Sequence, residues 1–282
     1  MKKNIRIIIK LLALLMVVVG GSAITWKLMD YHKGAMDYTE AAQLAGISKP
    51  SVQPQPTSGS QASQLLEEDS EPLGPEAPPK AAPTPDPYAQ ELAQVDLNAL
   101  RQVNPQVTGW IAIPGTNVFY PVMYTDNNTH YLNYTWKNEN SGVGAIFLET
   151  SCQPDFSDFN TIIYGHQMMD GSMFGGLQKF SDQAYAQERP YVYIARDDGV
   201  VEKYQIFAAF EVGVRDLIYR LDIEEENMQQ KLIDFCKEHS VIDLGVDPQA
   251  DGRLITLSTC TGWGYSTRWV VVASWVPDIQ SH

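Results

Sequence analysis

The hydrophobic pattern of this chain changes character along its length. Leu11 to Trp26 is an unbroken run of apolar and small residues, extended backwards by Ile5 and by Ile7 to Ile9. Counted from Ile7 to Trp26, it is about the twenty residues a helix needs to cross a bilayer. Asp30 to Gly46 is mixed, with Ala-rich helical character between Tyr38 and Ala45. From residue 47 to about 87, Ser, Pro, Gln, Glu and Ala dominate and large apolar residues are scarce. Such a stretch has too little apolar surface to form a core.

From Tyr88 onward the apolar positions return in short, ordered pieces. Leu92, Val95, Leu97, Leu100 and Val103 recur at near-helical spacing, which predicts one amphipathic helix over Ala89–Val103, ended by Asn104-Pro105. The period then drops to two. Eight β-type runs follow, at 107–113, 118–123, 144–149, 161–166, 191–196, 201–213, 253–259 and 268–276. Turn signals such as Pro114-Gly115-Thr116-Asn117 and Asp197-Asp198-Gly199 separate several of them. In the sixth run Tyr204, Ile206, Ala208, Phe210 and Val212 are expected on one face, with Lys203, Gln205 and Glu211 on the other. A helix interrupts the strands over 222–239, with Asp222 as N-cap, Glu225 three residues on, and a stripe of Ile223, Met228, Leu232, Phe235 and Cys236. A shorter helix is expected over Gly176–Phe180. Many short strands with few helices predict a mainly β fold with peripheral helices, a closed or nearly closed barrel.

These patterns divide the chain into three parts: a cytoplasmic stub and transmembrane anchor at 1–29, a juxtamembrane segment and Pro/Ser/Gln-rich linker at 30–87, and a folded domain at 88–282. The linker reads as a semi-extended tether; some forty residues at about 3 Å each reach on the order of 100 Å. Charge sets the orientation. Of the five bases in the first 27 residues, Lys2, Lys3, Arg6 and Lys10 precede the run and only Lys27 follows it, which predicts a single-pass protein with its N-terminus in the cytoplasm and its body outside. The alternative is a cleaved signal peptide ending near Gly21-Ser22-Ala23. The chain carries a net charge of −14, and beyond residue 27 it holds 34 acids against 15 bases, which argues against a nucleic-acid partner.

Three cysteines do not make a disulfide scaffold, and an odd number leaves at least one thiol free in an exported protein. Cys260 ends the seventh run in Ser-Thr-Cys-Thr-Gly-Trp-Gly, where the sequence turns polar and glycine-rich. It reads either as a nucleophile or as a buried structural thiol. Cys236 falls on the apolar stripe of a helix and reads as structural. Cys152 lies in a loop, and a Cys152–Cys236 disulfide is open. A thiol nucleophile needs a proton acceptor or a cation beside it. Of the five histidines, His166 closes a strand and opens a glycine-containing loop; it reads as that partner or as an ordinary turn residue. Arg268 opens the last run, as a strand-edge charge or as a fixed donor to a developing oxyanion.

Thr256-Leu257-Ser258-Thr259-Cys260 followed by Arg268 resembles the active-site signature of sortases. The stretch from Asn160 to Phe174 (NTIIYGHQMMDGSMF) resembles the histidine segment of class B sortases, and Asn104 to Thr116 resembles their domain entrance. The resemblance covers about residues 90–276. It implies an eight-stranded sortase-type β-barrel with an N-terminal helix and a helix between strands 6 and 7. It implies a membrane-anchored cysteine transpeptidase that cleaves a C-terminal sorting motif, of the NP-x-T-x kind, in exported proteins. The fragment passes through a thioacyl-enzyme to an amine of the cell wall. A pilus-assembling enzyme that uses a pilin lysine, or a hydrolytic cysteine peptidase, are the alternatives.

Carried over by position, Cys260 is the nucleophile, His166 the general acid/base and Arg268 the stabiliser of substrate and oxyanion. Ser258, Thr259, Asn128, Leu132 and Tyr219 are expected to contact substrate. The implied partners are sorting-motif-bearing exported proteins, a peptidoglycan precursor peptide or pilin amine, and the membrane. No carboxylate cluster resembles the calcium site of class A members, so no metal or other cofactor is expected. The chain departs from the class B pattern at Gln167, where Asn is frequent. It also departs in the loop Thr261–Thr267, which holds Trp263 and Tyr265 but no acidic residue.

Overall fold

Eight strands carry the eight period-2 runs: β1 (Val107–Ala112), β2 (Phe119–Met123), β3 (Ile146–Leu148), β4 (Asn160–Tyr164), β5 (Tyr191–Ala195), β6 (Val201–Gly213), β7 (Leu254–Cys260) and β8 (Thr267–Trp275). The computed structural model describes residues 2–50, 86–221, 223, 225–260 and 266–277. The strands close into one barrel in the order β1-β2-β3-β4-β7-β8-β6-β5, which leaves no unpaired sheet edge. Two neighbouring pairs, β2–β3 and β4–β7, run parallel. A parallel pair needs a long crossover. Between β4 and β7 that crossover contains β5, β6 and a helix, so residues distant in sequence share one barrel rim.

Among the described residues, five α-helices accompany the strands: α1 (Lys2–Leu44), α2 (Pro87–Leu92), α3 (Leu97–Val103), α4 (Gln183–Glu188) and α5 (Glu226–His239). The single helix expected over 89–103 is two. Asp86 caps α2, its carboxylate accepting from the Tyr88 and Ala89 amides, and Asp96 caps α3 by accepting from the Ala99 amide. Aspartate competes for backbone donors better at a helix start than inside a helix, so Asp96 begins a new helix instead of extending α2. The helix expected at Gly176–Phe180 is a 3₁₀ turn over Leu177–Ser181. The helix between strands 6 and 7 is α5, which starts at Glu226; its expected cap, Asp222, lies outside the described residues.

The face predicted for β6 is split. A bulge between Ile206 and Ala208, against β8, adds one residue to the strand and reverses the side-chain alternation beyond it. Tyr204, Ile206 and Ala209 enter the barrel core, whereas Ala208, Phe210 and Val212 join a second cluster beneath α5. There they meet Leu232, Ile233 and Cys236, all fully buried. Each large apolar side chain buried in this way contributes about 1.5–3 kcal/mol, so α5 is fixed to the outside of β6 and β8.

Cys152 and Cys236 are both free and buried. Cys152 packs beside the Asn160 carbonyl at the start of β4, while Cys236 belongs to the cluster under α5. The disulfide between them is not formed. The second half of α1 packs on the barrel through Tyr38, Ala41 and Ala45. Among the described residues, no helix is long and apolar enough to cross a membrane. Most side chains of the anchor expected at 1–29, and residues 51–85 of the linker, lie outside the described set.

Candidate active site

Strand register assembles the site. In the parallel pair β4–β7, Tyr164 is level with Ser258; His166 follows two residues beyond the end of β4, at the rim where β7 ends in Cys260. The Gly165 amide donates to the Ser258 carbonyl at 3.2 Å and carries the pairing past the end of β4. In the antiparallel pair β7–β8, Cys260 is the direct partner of Arg268. The neighbouring ends of β4, β7 and β8 therefore bring the three residues singled out from the sequence to one rim of the barrel. The side chain of Cys260 and residues 261–265 lie outside the described set.

The backbone around His166 permits little substitution. A Cβ on Gly165 would stand 2.5 Å from Ile146 Cδ1 and 2.8 Å from the Phe174 ring. Glycine therefore lets the chain turn from β4 into the histidine loop without displacing the core. The loop closes when the Phe174 amide donates to the His166 carbonyl at 3.0 Å. His166 Nε2 lies 2.7 Å from the Leu132 carbonyl oxygen. A carbonyl only accepts, so Nε2 carries the hydrogen, and Nδ1 is the atom of the neutral ring that can take up a proton.

His166, Arg268, Ser258, Thr259, Asn128, Leu132 and Tyr219 line one cleft of about 410 Å³. Seven of the eight residues named from the sequence thus converge there, and the eighth, Cys260, ends the strand that carries Ser258 and Thr259. Tyr219 is tied to Ser258 by a 2.8 Å hydrogen bond between their hydroxyls. Its placement traces back to buried Asn160. The Asn160 amide donates to the Ile218 carbonyl at 3.0 Å, and its Oδ1 accepts from the Thr256 hydroxyl at 2.7 Å. One side chain thereby joins β4, β7 and the turn Leu217–Tyr219. The Arg268 guanidinium donates to the Thr267 carbonyl at 2.9 Å and borders the cleft.

Sequence reasoning missed Glu149 and Tyr164 as cleft residues. Glu149 receives hydrogen bonds from Asn128 Nδ2 at 2.5 Å and from the Tyr164 hydroxyl at 2.9 Å. Asn128 Oδ1 accepts from the Thr150 amide at 2.9 Å, so Asn128 is held at both ends. Burial first, and then the Glu149 charge, hold the Tyr164 hydroxyl well above the usual range for a phenol, so it stays a donor. A signal for Tyr164 was available: it stands two residues before His166, the spacing that repeats a strand face. Among the described residues, no group of three or more His, Cys, Asp or Glu side chains could hold a metal ion.

A model of the sortase domain matches residues 111–276. Sortase B of Staphylococcus aureus is 30% identical over 188 residues, covering 66% of this chain and 76% of that protein. The chain belongs to the sortase family, class B. Sortase B of Listeria monocytogenes is 32% identical over 166 residues, 58% of this chain and 67% of that protein. Among solved structures, a Staphylococcus aureus sortase B–substrate complex superimposes with a TM-score of 0.60 at 30% identity, covering 64% of this chain and 83% of that one. Sortase B of Clostridium perfringens gives 0.60 at 27% identity, covering 64% of this chain and all of the other. This class B sortase is an enzyme, a cysteine transpeptidase. Its eight-stranded barrel, peripheral N-terminal helices and the helix between strands 6 and 7 are those the sequence resemblance implies.

Proposed function

We propose that this sortase is anchored in the cell membrane by residues 1–29 and cleaves exported proteins at a C-terminal NP-x-T-x motif, joining them to an amine of the cell wall. The observation that supports the reading is the Cys260–Arg268 strand pair at the barrel rim where His166 follows β4, with His166 and Arg268 both lining one cleft. The Cys260 thiolate attacks the carbonyl carbon of the scissile peptide bond, forming a C–S bond and a tetrahedral oxyanion. The Arg268 guanidinium donates to that oxyanion, and such fixed donors are worth most where charge develops. Protonated His166 gives its Nδ1 proton to the departing amine as the C–N bond breaks. The acceptor amine then passes a proton to His166 and attacks the thioester. A new C–N bond forms and the thiolate is released.

A thiolate paired with an imidazolium stores both the nucleophile and the acid that the first step needs. The uninterrupted apolar run Leu11–Trp26, behind four bases, supports the anchor and its orientation. The deciding experiment mixes the enzyme with an NP-x-T-x peptide and an oligoglycine or lysine-bearing amine, followed by mass spectrometry. Incorporation of the amine, lost in Cys260→Ala, is the expected result. Exclusive hydrolysis would assign a peptidase instead, and incorporation of a pilin-type lysine in preference to a wall-type amine would assign pilus assembly.

A further inference from the structure

The second half of α1 is tied to the segment Tyr131–Gly144, and that segment touches the ring of His166. Six polar contacts hold it, two of them from Lys137 to Asp37 and Glu40. The Tyr38 hydroxyl donates to the Gly144 carbonyl at 2.6 Å, and Trp136 Nε1 donates to the Asp37 carbonyl at 2.8 Å. The Gly142 amide donates to the Asp30 carboxylate at 2.9 Å, and Lys33 pairs with Glu139 at 2.5 Å. Packing adds to these, since a Cβ on Gly34 would stand 2.6 Å from Val143 Cγ2.

The other side of the same segment faces the histidine. The Leu132 carbonyl accepts from His166 Nε2. Gly144, at φ 64°, lies so close that a Cβ there would be 2.8 Å from His166 Cδ2. The imidazole is thus held at one nitrogen by residue 132 and flanked at Cδ2 by residue 144. The carbonyl of residue 144 is in turn held by Tyr38. A cleft of about 460 Å³ is lined by α1 and by Met168, Asp170 and Met173 of the histidine loop. α1 also reaches that loop through the Tyr120 ring, whose hydroxyl accepts from the Met173 amide at 3.1 Å, but the contact with the His166 ring itself runs through Tyr131–Gly144.

We propose that residues 30–44 of α1 are a positioning element for His166, with Tyr38 as the positioning residue that fixes the backbone on which the imidazole rests. The proposal rests on the reading of His166 as the proton-transfer group. Tyr38 touches neither substrate nor the reacting atoms. It acts by keeping the Leu132 carbonyl and Gly144 in place, so that Nε2 stays the donor and Nδ1 stays free for the proton.

Tyr38→Phe in the full chain removes one hydroxyl and keeps the ring, which packs edge-on against Tyr120 with centroids 5.2 Å apart. Two readouts are combined. The first is the NMR titration of the His166 ring without substrate, assigned by comparison with His166→Gln. The second is kcat and KM across pH. The expected result is a displaced His166 resonance and titration midpoint, with kcat lowered about fivefold and KM within twofold, the scale of one lost hydrogen bond. Asp30→Ala, which releases Gly142 from the same clamp, is the second variant and is expected to move the same resonance less. An unchanged His166 titration in both variants overturns the proposal, whatever happens to activity. Because that titration needs no substrate, it tests the clamp even if the enzyme proves hydrolytic, and a negative result leaves the reaction assignment intact.

Discussion

Cys260 and Arg268 are direct partners across β7 and β8, eight positions apart in sequence and opposite one another in the sheet. Antiparallel pairing fixes this juxtaposition through two strands whose other pairs, from Leu254↔Ser274 to Thr259↔Trp269, lie in the body of the barrel. The connecting loop can change without altering it. The arginine is thus positioned by the fold.

A charge held in that way should not be replaceable by another cation. Arg268→Lys keeps the charge but loses the planar, forked donors. We expect kcat/KM for transpeptidation to fall about 10²-fold or more in Arg268→Lys and Arg268→Ala alike, in the range seen when an oxyanion donor is removed. Thermal denaturation should be little changed. A lysine variant within a few-fold of the parent would rule out the donor role.

The hydroxyl pair between Tyr219 and Ser258 predicts a smaller effect. Tyr219→Phe leaves the ring on the wall of the cleft and removes the 2.8 Å hydrogen bond to Ser258. A neutral bond of this kind is worth about 0.5–1.5 kcal/mol, so peptide affinity should drop only a few-fold. Titration of a non-cleavable peptide onto the variant measures it, and a loss beyond tenfold would mean that the hydroxyl itself contacts substrate.

Asn160 is a structural keystone for the site. Asn160→Ala would strand the Ile218 carbonyl and the Thr256 hydroxyl in a buried setting. Leaving buried polar groups unpaired costs about 1–3 kcal/mol each. Urea unfolding should therefore show a loss of at least about 2 kcal/mol, together with weaker peptide binding as Tyr219 loses its anchor. Unchanged stability would show that the turn Leu217–Tyr219 is held by other contacts.

Buried acids make a statement about alkaline pH. Burial pushes the Cys152 thiol up to about 12, and burial does the same to the Tyr120 hydroxyl, also to about 12. Both groups release their protons more readily in the unfolded chain, where a thiol titrates near about 8.5 and a tyrosine near about 10. Their contribution to stability is complete below about pH 8.5 and is lost as the pH rises towards about 12. Urea midpoints measured from pH 8 to pH 11 should fall steadily. In the same neutral thiol state, Cys152 and Cys236 should resist iodoacetamide at pH 8 while Cys260 reacts. Peptide mapping of native labelled protein checks this, and label on Cys152 or Cys236 would contradict their burial.

Much of the fold was legible in the sequence because strands and turns leave local signals. All eight strands fall on the eight period-2 runs, and α5 falls on its apolar stripe. The errors arose where one residue changed a local choice: Asp96 starting a second helix, and the bulge between Ile206 and Ala208 turning half of β6 to the other side. Neither alters composition or average period, so neither shows in a pattern of apolar positions.

By itself the sequence determined the strand runs and the α5 stripe, and it supplied the proposed nucleophile, acid/base and oxyanion donor. It also placed Cys260 and Arg268 at the ends of successive strands. Only the tertiary structure decided that the β4 end leading to His166, far away in sequence, lies beside the β7 end at Cys260, because the parallel β4–β7 pair forms across β5, β6, α4 and α5. Only it decided that Glu149 and Tyr164 complete the cleft, and that α1 reaches the segment on which His166 rests. These are contacts between distant parts of the chain. They depend on how the barrel closes, which no single stretch of the sequence encodes.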